Sequence, residues 1–494
     1  MSGGPASSAH GSPRRADTAG AILWNAAGAF GGRAIQFAAT VVLARLLSPA
    51  EFGMVAVLAI FTYVATALIE SGFGSALIQM QAVTREDESA VFHFNLAMAV
   101  LLYAALWFLA EPIARFYGQP ELVPLARVLA LVFFCNAFGL VQSTLLTKQL
   151  DFRRLTLAQL GATLASGSLG IFLALRGWGV WSLAAQTLSA AAVRSGLLWF
   201  LSPWRPLRRF HLASLRAMFP YGSRLLASGL LGSVLENVYA MVIGRFFTQA
   251  DVGFYSRAQL AQRQAADSFT GVIVTVSFPA YAAVQHDPER LREGYRRSIV
   301  YASAALFPLM LGLAALARPL FLLVFTAKWA ASIPYFQILC LSGLLYHLHA
   351  LNLNVLKAVG RSDLYLRLAV LKVGLVLAGL LVSVRFGMWG IVWGQVLVSW
   401  LGLGLNAFYA GRIIHYPLHG QIRDVQPYFW LSVGLAGLVF VASRFLQGLP
   451  LAAQSAILAA GYAGAYLGLA RLFHLDAPAA LFRQLQFQIR GRCK

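Results

Sequence analysis

Apolar residues gather in long stretches along the whole chain, and short polar turns separate them. Fourteen stretches are long enough to cross about 30 Å of hydrocarbon at about 1.5 Å per helical residue. The pattern therefore predicts an all-α polytopic membrane protein with about 14 transmembrane helices. The limits of the predicted segments are 19 to 44, 53 to 79, 90 to 111, 122 to 146, 156 to 175, 180 to 200, 217 to 243, 253 to 281, 298 to 317, 334 to 356, 364 to 384, 388 to 411, 427 to 444 and 451 to 470.

The composition supports this class and decides how the charge should be interpreted. Hydrophobic residues make up 59% of the 494 residues and charged residues 12%, which is too apolar for a protein dissolved in water. In a soluble protein the net charge of +21 would suggest a nucleic-acid partner. In a membrane protein it indicates basic loops that meet anionic lipid, so we expect membrane lipid as a partner and no nucleic acid.

The distribution of Lys and Arg over the loops tests the predicted crossings. If the N-terminus is cytoplasmic, the cytoplasmic loops and tails hold 24 of the 39 basic residues, and the opposite loops hold at most 9. Positive residues concentrate on the cytoplasmic side of membrane proteins. We therefore predict that both termini are cytoplasmic. The first apolar stretch is longer than the core of a signal peptide, so we expect it to remain as the first helix.

A ten-residue motif occurs twice in the chain, two hundred positions apart. The sequence ARLLSPAEFG at 44–53 returns as GRFFTQADVG at 244–253. Three positions are identical: Arg45 and Arg245, Ala50 and Ala250, and Gly53 and Gly253. A second correspondence pairs Arg176 and Gln186 with Arg385 and Gln395. Six crossings separate the copies, so the two halves should share one orientation and enclose a cavity, as in many transporters.

The repeat and the loops together predict the domain organisation. We expect two pseudo-symmetric six-helix lobes, with an added helix pair that has no counterpart in the first half. The predicted parts are a cytoplasmic tail at 1–18, the first lobe at 19–200, a cytoplasmic loop at 201–216, the second lobe at 217–411, the helix pair at 427–470 and a cytoplasmic tail at 471–494.

Basic residues at membrane depth are the candidates for binding an anionic substrate. Arg33 lies near the middle of the first predicted segment, about 20 Å from either end, which is too far for its side chain to reach water along the helix. An unpaired Arg at the bilayer centre costs roughly 2.5 to 3.5 kcal/mol, so such a residue usually faces a wet cavity or a partner. Lys372, midway along the eleventh segment, poses the same problem. A structural pair within one lobe is the alternative for both.

Two further residues complete the predicted cavity site. Arg263 lies in the eighth segment, although Asp267 follows four residues later, so an internal salt bridge is the competing interpretation. Gln36 lies three residues after Arg33 and matches Glu236 in the two-hundred-residue register. Arg224 and Arg257 lie nearer to segment ends, where we expect their side chains to reach the interface instead.

Three acidic residues inside the predicted segments are candidates for ion coupling: Glu70, Glu236 and Asp267. A carboxyl group in an apolar site can bind and release a proton near neutral pH. Glu236 could equally be a counter-ion for Arg33, and Glu70 could simply end a helix beside the flexible SGFG turn.

The sequence predicts neither a metal site nor a nucleotide site. His347 and His349 are two residues apart, so they point to different sides of a helix and make a poor metal pair. The chain has no Gly-Lys dipeptide and so lacks the phosphate-binding loop of ATPases. We therefore expect no cofactor, and a proton, sodium or substrate gradient remains as the energy source. Short outer loops argue against an enzyme.

Four runs of residues carry a resemblance to a known family. They are LARLLSPAEFGMVAVLAIF at 43–61, ESGFGSALIQ at 70–79, LSPWRP at 201–206 and DPERLREGYRR at 287–297. These runs resemble the oligosaccharide flippase, or polysaccharide transporter, family of the MOP superfamily, and its Wzx-type branch in particular. One departure is Asn237-Val238-Tyr239, where many relatives have an acidic residue, so ion coupling through that acid is not expected.

The resemblance implies a substrate and a cellular location. It implies that undecaprenyl-pyrophosphate-linked repeat units of exopolysaccharide or lipopolysaccharide type move from the inner to the outer leaflet of the bacterial cytoplasmic membrane. Polysaccharide polymerase or export machinery would be a partner. A multidrug or cation antiporter of the MATE type and a lipid II flippase remain alternatives, although an antiporter would rely on membrane-embedded acids more than on bases.

Overall fold

The chain folds into helices throughout the part that the structure describes. The computed structural model describes residues 15–70, 72–80, 83–209, 211–446, 448–473 and 475, with side chains from residue 31 onward and gaps mainly between 217 and 236. The first half contains α1 (Arg15–Leu46), α2 (Pro49–Glu70), α3 (Phe73–Gln79), α4 (Arg85–Tyr117), α5 (Leu122–Leu129), α6 (Val132–Lys148), α7 (Phe152–Leu175), α8 (Val180–Leu201) and α9 (Leu212–Phe246).

The second half continues in the same way. It contains α10 (Gln249–Ala283), α11 (Pro288–Ala315), α12 (Ala317–Phe325), α13 (Ser332–Gly343), α14 (Tyr346–Ala358), α15 (Ser362–Ser383), α16 (Gly387–Ile413), α17 (Leu418–Phe445) and α18 (Leu451–Leu472). Two short 3-10 turns, Ala327–Trp329 and Val384–Phe386, join some of them. Across the described ranges no strand occurs, which confirms the all-α class.

Eight stretches in the described part are long and apolar enough to cross a membrane, which confirms a polytopic membrane protein. Each predicted segment lies on helices, whereas the number of fourteen crossings stays a prediction. The eight stretches are Pro49–Gln79, Arg85–Tyr117, Leu122–Lys148, Phe152–Leu175, Pro288–Ala315, Ser332–Ala358, Asp363–Ile413 and Leu418–Phe445.

The second predicted segment is broken into α2 and α3 at Gly72. This glycine has a φ of 69°, in the left-handed region that side chains disfavour, and a Cβ added to it would lie 2.5 Å from the carbonyl oxygen of Gly222. At the other end of α3, the Lys148 ammonium donates to the carbonyls of Leu77 at 2.9 Å and Met80 at 2.6 Å. These contacts fix α3 against the end of α6, since a cation stabilises a helix C-terminus.

Two more predicted segments are interrupted, and two short elements were not predicted. The segment 122 to 146 divides into α5 and α6, and 334 to 356 divides into α13 and α14. The short helix α12 and the turn Ala327–Trp329 fold where the hydropathy pattern predicts a loop. A hydropathy pattern shows how long an apolar stretch is. It does not show helix breaks or short helices between stretches, because these depend on local backbone hydrogen bonds.

The chain divides into two compact units, Met1–Met241 and Val242–Lys494. The division falls inside α9, shortly before the second copy of the repeated motif. In the first unit α7 packs against α1 and α8, and α6 packs against α4 and α8. In the second unit α10 packs against α13, α14 and α11. The predicted lobe limits stay predictions.

The repeated motif forms the same helix–turn–helix in each unit. The Ser48 amide and hydroxyl donate to the Glu51 carboxylate at 2.6 and 2.8 Å, and the Glu51 amide donates back to the Ser48 oxygen at 3.4 Å. Thr248 and Asp251 repeat the pattern at 3.1, 2.7 and 3.2 Å. This reciprocal capping box supplies partners for the free amides at a helix N-terminus. The sequence repeat is therefore also a structural repeat.

The last two helices pack onto the second unit. α17 lies along α11, and α18 contacts α17 and α12. An apolar cluster joins them, with Leu435, Leu458 and Tyr462 buried against Leu316. The hydroxyl of Tyr466 donates to the carbonyl of Ala304 at 2.8 Å. Buried apolar area and a satisfied phenol together stabilise the attachment of the pair.

Candidate functional site

Arg33 and Gln36 lie on the exposed side of α1. Both side chains are exposed within the structure, and their spacing of three residues places them on one face of the helix. Leu46 ends the helix thirteen residues after Arg33, which is about 20 Å at 1.5 Å per residue. The structure therefore places a guanidinium on an outer surface of the first unit, far from the end of α1.

Lys372 lies beside a polar cluster inside the second unit. It is half-buried on α15, and its charge acts on the imidazole of His349 on α14. The Nδ1 atom of His349 lies 2.9 Å from Asn406 Nδ2, and its Nε2 atom lies 3.3 Å from Ser399 Oγ. Because the amide nitrogen must donate, Nδ1 accepts, and Nε2 carries the proton of a neutral ring. Asn406 Oδ1 is buried without a hydrogen-bond partner in the described part.

From the sequence, His349 was a candidate only as a metal ligand, and Asn406 and Ser399 were not predicted. The nearby His347 has a different partner, since its Nε2 atom lies 2.7 Å from Ser303 Oγ on α11. The two imidazoles thus point to different helices, as the two-residue spacing predicts. The signal that could have identified Asn406 and Ser399 is a polar residue in an apolar helix, because such a residue needs a hydrogen-bond partner away from water.

The remaining predicted site residues are not brought together with Lys372 by any described contact. On α10, Arg263 is half-buried and Asp267 is exposed one turn later, and neither side chain is isolated. Their roles stay predictions. The side chains of Glu236 and Arg224 lie outside the described residues.

The expectation that Arg257 reaches the interface is wrong. Its side chain is buried, with a relative exposure of 5%. The guanidinium carbon lies 5.4 Å from the ring centre of Phe325 and 5.1 Å from that of Trp329. Both rings belong to the segment around α12, which the sequence analysis did not predict. Cation–π contact with these rings replaces water around the charge.

Glu70 lies at the wall of a cavity of about 390 Å³ in the first unit. The run ESGFGSALIQ supplies one wall and α6 supplies another. The lining residues are Ala67, Glu70, Gly72, Gly74, Ser75, Ile78, Leu140, Ser143, Thr144, Thr147 and Leu226. One of the runs that carry the family resemblance therefore forms a cavity surface.

Three hydroxyl groups on α6 face this cavity. Ser143 and Thr144 donate to the carbonyl of Leu140 at 2.8 and 2.9 Å, and Thr147 donates to the carbonyl of Ser143 at 2.8 Å. These residues were not predicted as part of the site, although Thr147 lies four positions after Ser143 and three after Thr144, the spacings that share a helix face. They are the main polar groups near Glu70.

The run LSPWRP connects the end of α8 to α4. Trp204 is buried, and its indole N–H donates to Glu88 at 2.6 Å. The Arg205 guanidinium donates to the carbonyls of Trp199 at 2.8 Å and Ser202 at 2.7 Å, at the C-terminal end of α8. Cations stabilise helix C-termini. The run therefore has a structural role in the first unit.

The run DPERLREGYRR begins α11 and fixes α17 to it. The Asp287 carboxylate accepts from the backbone amide of Arg290 at 3.0 Å and so caps the helix. Further along α11, Tyr295 donates to Gln421 at 3.0 Å and Arg296 pairs with Asp424, so both residues bind α17.

Known proteins match this chain in sequence. The family model of the polysaccharide biosynthesis proteins matches residues 42–334, more than half of the chain. The succinoglycan biosynthesis transport protein ExoT of Rhizobium meliloti is 30% identical over 65% of this chain, which spans 65% of ExoT's own length. The teichuronic acid biosynthesis protein TuaB of Bacillus subtilis is 26% identical over 82% of this chain and 84% of its own. The lipopolysaccharide biosynthesis protein WzxC of Escherichia coli is 26% identical over 82% of both chains.

Solved structures show the same fold. The lipid II flippase MurJ, in an inward closed conformation, matches with a TM-score of 0.76 and 13% identity, over 92% of this chain and 99% of MurJ. The MATE multidrug transporter DinF-BH matches with a TM-score of 0.51 and 16% identity, over 84% of this chain and 97% of its own. The chain therefore has the fold of these transporters, and by its sequence it belongs to the family of polysaccharide biosynthesis proteins.

Proposed function

We propose that this chain is a flippase for undecaprenyl-pyrophosphate-linked oligosaccharides. It moves repeat units of exopolysaccharide or lipopolysaccharide type from the inner to the outer leaflet of the bacterial cytoplasmic membrane, by alternating access. The family match supports this proposal, as do the names of the relatives, which refer to succinoglycan, teichuronic acid and lipopolysaccharide.

Such a substrate needs a polar route. Each sugar hydroxyl without a partner in hydrocarbon costs about 2 to 7 kcal/mol, and the pyrophosphate charge costs far more. A route lined with cations and hydroxyls replaces the lost water, while the polyprenyl tail stays in the lipid. The protein therefore has to provide cations at membrane depth rather than a reactive centre.

The observation that carries the proposal is the exposed Arg33 on α1. A guanidinium held far from the helix end and outside the packed interior of its unit is costly in lipid, so it needs water or an anion. Arginine is well suited to a pyrophosphate, because its planar fork can donate two parallel hydrogen bonds. Gln36 adds a donor on the same face, and Lys372 supplies a second cation.

The relatives favour this function over its alternatives. A drug antiporter and a lipid II flippase have the same fold, but the solved structures of those classes share only 16% and 13% identity with this chain. Identity at that level is informative about fold alone. The glycan-related names occur instead among relatives at 26 to 30% identity.

The energy source and the partner proteins belong to the proposal too. We expect a proton or sodium gradient to drive transport, with Glu70, Glu236 and Asp267 as the candidate coupling residues. Polysaccharide polymerase or export machinery would receive the translocated unit. No step of this transport needs a cofactor or covalent catalysis.

The test compares Arg33→Ala with Arg45→Ala in cells that depend on this gene for glycan export. Both arginines are exposed on α1, but Arg45 lies in its last turn. Losing a hydrogen bond to a charged group should lower export about tenfold or more for Arg33→Ala. Arg45→Ala should export normally, and both proteins should reach the membrane in equal amounts. Normal export by Arg33→Ala would remove Arg33 from the route.

Lys372 is tested separately with Lys372→Met, which keeps the length of the side chain and removes its charge. Reduced export at unchanged membrane level would support a second anion contact. A variant that exports like the wild type would show that Lys372 serves the polar cluster around His349 alone.

A further inference from the structure

We propose that the cavity beside Glu70 is a binding subsite for a neutral sugar ring of the transported glycan. The proposal rests on the proposed function, and it assigns the subsite to the first unit, apart from the cations that would hold the pyrophosphate. Its support comes from the chemistry of the cavity wall, the local balance of charge, the cavity volume and the position of the cavity in the fold.

The three cavity hydroxyls that α6 supplies present acceptors rather than donors. Ser143, Thr144 and Thr147 each donate their proton to a carbonyl of α6, as described above. A hydroxyl whose proton is engaged still has lone pairs to offer. The carboxylate of Glu70 adds two more acceptor oxygens. An occupant of this cavity should therefore carry several hydrogen-bond donors.

The local charges disfavour a cation as that occupant. Arg194 on α8 attracts the Glu70 carboxylate electrostatically, and this attraction offsets part of the negative charge within the unit. The ammonium of Lys148, one residue beyond Thr147, is engaged by the carbonyls at the end of α3. A wall with one partly offset carboxylate and several hydroxyl acceptors suits a neutral group rich in hydroxyls.

The cavity volume also disfavours a metal ion and favours a sugar ring. A metal ion needs oxygen ligands that converge at about 2 to 2.6 Å, whereas this cavity holds about 390 Å³. Apolar side chains, Leu140, Ile78 and Leu226, form part of the wall beside the hydroxyls. A sugar ring combines C–H faces with hydroxyl edges, and it can therefore use both kinds of surface.

Gly74 leaves space beside the Thr144 hydroxyl in the cavity wall. A Cβ atom at this position would lie 3.1 Å from Thr144 Oγ1, closer than ordinary contact. A larger side chain at position 74 would therefore cover the oxygen and reduce the cavity. The glycine-rich SGFG turn thus has a consequence for the cavity surface as well as for the helix break.

The cavity lies where a substrate would first meet the protein. α3 and α6 both end beside it, and both lead into loops that we predict to be cytoplasmic. Repeat units completed on the cytoplasmic leaflet would reach this end of the first unit before they cross.

The first experiment measures binding of methyl glycosides to the full chain in lipid nanodiscs by saturation-transfer NMR. The probes are methyl α-glucoside, methyl α-galactoside and methyl α-mannoside, and sodium chloride at matched ionic strength is a separate competitor. We expect transfer from at least one glycoside. Thr144→Val, which keeps the shape and removes the acceptor, should weaken it about five- to tenfold.

Thr163→Val is the matched control. Thr163 is buried like Thr144, at 4% against 6% exposure, and donates to a carbonyl four residues back in the same way, but it lies outside the cavity. It should bind the glycoside like the wild type. Equal loss in both valine variants, or transfer abolished by sodium, would overturn the subsite.

Substitutions of Glu70 separate sugar binding from ion coupling. Glu70→Gln keeps an acceptor oxygen without charge and should keep most of the binding, whereas Glu70→Ala should lose it. Glycoside binding that survives Glu70→Ala unchanged would contradict the proposal.

Glycan export, measured in parallel, distinguishes the two proposals. If the wild type exports glycan but no glycoside binds, or if Thr144→Val exports normally, the subsite fails and the flippase function stands. If glycan export does not depend on the wild-type chain at all, the proposed function itself fails.

Discussion

The indole N–H of Trp204 donates a hydrogen bond of 2.6 Å to the carboxylate of Glu88. The two residues join the stretch between α8 and α9 to the first turn of α4. Trp204 also lies edge-on to Phe92, with the ring centres 5.8 Å apart. A connection that could have been a free linker is therefore part of the packed first unit.

Trp204→Phe should destabilise the first unit while the aromatic packing remains. The substitution leaves the half-buried Glu88 without its donor, which should cost about 1 to 3 kcal/mol. Thermal unfolding of the purified protein in detergent, followed by circular dichroism, measures the effect. Trp178→Phe is the control, because Trp178 is exposed and should tolerate the change. Equal midpoints for both variants would show that the Glu88 bond contributes nothing.

The repeated turns should respond alike to loss of their caps. Ser48→Ala and Thr248→Ala each remove the side-chain oxygen that accepts from the first turn of the following helix, and each should cost about 1 kcal/mol. Hydrogen exchange should rise at the starts of α2 and α10 respectively. Thr248→Ser keeps the oxygen and should restore protection. A variant whose exchange is unchanged would show that its helix start is held by other contacts.

Tyr416 and Arg296 both bind the carboxylate of Asp424, whose side chain is only 9% exposed. Tyr416→Phe should lower unfolding stability by about 1.5 to 3 kcal/mol, since a nearly buried charge loses a donor. Tyr301→Phe removes a hydroxyl outside this network and is the control, so it should leave the unfolding stability unchanged.

The hydrogen bond between Tyr416 and Asp424 also predicts a loss of stability at alkaline pH. Burial, together with the hydrogen bond to Asp424 and its charge, raises the pKa of Tyr416 above its ordinary value near 10. The contribution of the phenol is thus complete below about pH 10 and is lost as the pH rises through the raised pKa. The stability difference between wild type and Tyr416→Phe should shrink in that range. A difference that stays constant to the highest pH would contradict this assignment.

Glu70→Gln or Glu236→Gln should alter the pH dependence of glycan transport in vesicles with an imposed proton gradient. A carboxyl group that carries the coupled proton loses this ability as an amide. The measurement is the initial transport rate between about pH 5.5 and 8. If both variants keep the wild-type profile, coupling resides elsewhere, with Asp267→Asn as the next variant to measure.

The fold could be predicted because it depends on the length of the apolar segments and on an internal repeat. Apolar length placed the helices, and the motif at 44–53 and 244–253 predicted two similar units. Local geometry was harder to predict. The break at Gly72 needs a close approach to Gly222, and Arg257 is covered by a short segment that hydropathy does not detect.

The site residues that the sequence suggested are charged, apart from Gln36. Arg33, Glu70 and Lys372 stand out because a charge in an apolar segment is rare. Asn406, Ser399 and Thr144 do not stand out, since neutral polar residues are frequent in such helices. Their grouping depends on which helices become neighbours, and one sequence does not contain that information.

The capping boxes at Ser48 and Thr248 draw every hydrogen bond from residues three positions apart. These local bonds supply partners for the amides at the starts of α2 and α10. During transport we therefore expect both helix starts to stay formed while the helices around them change position.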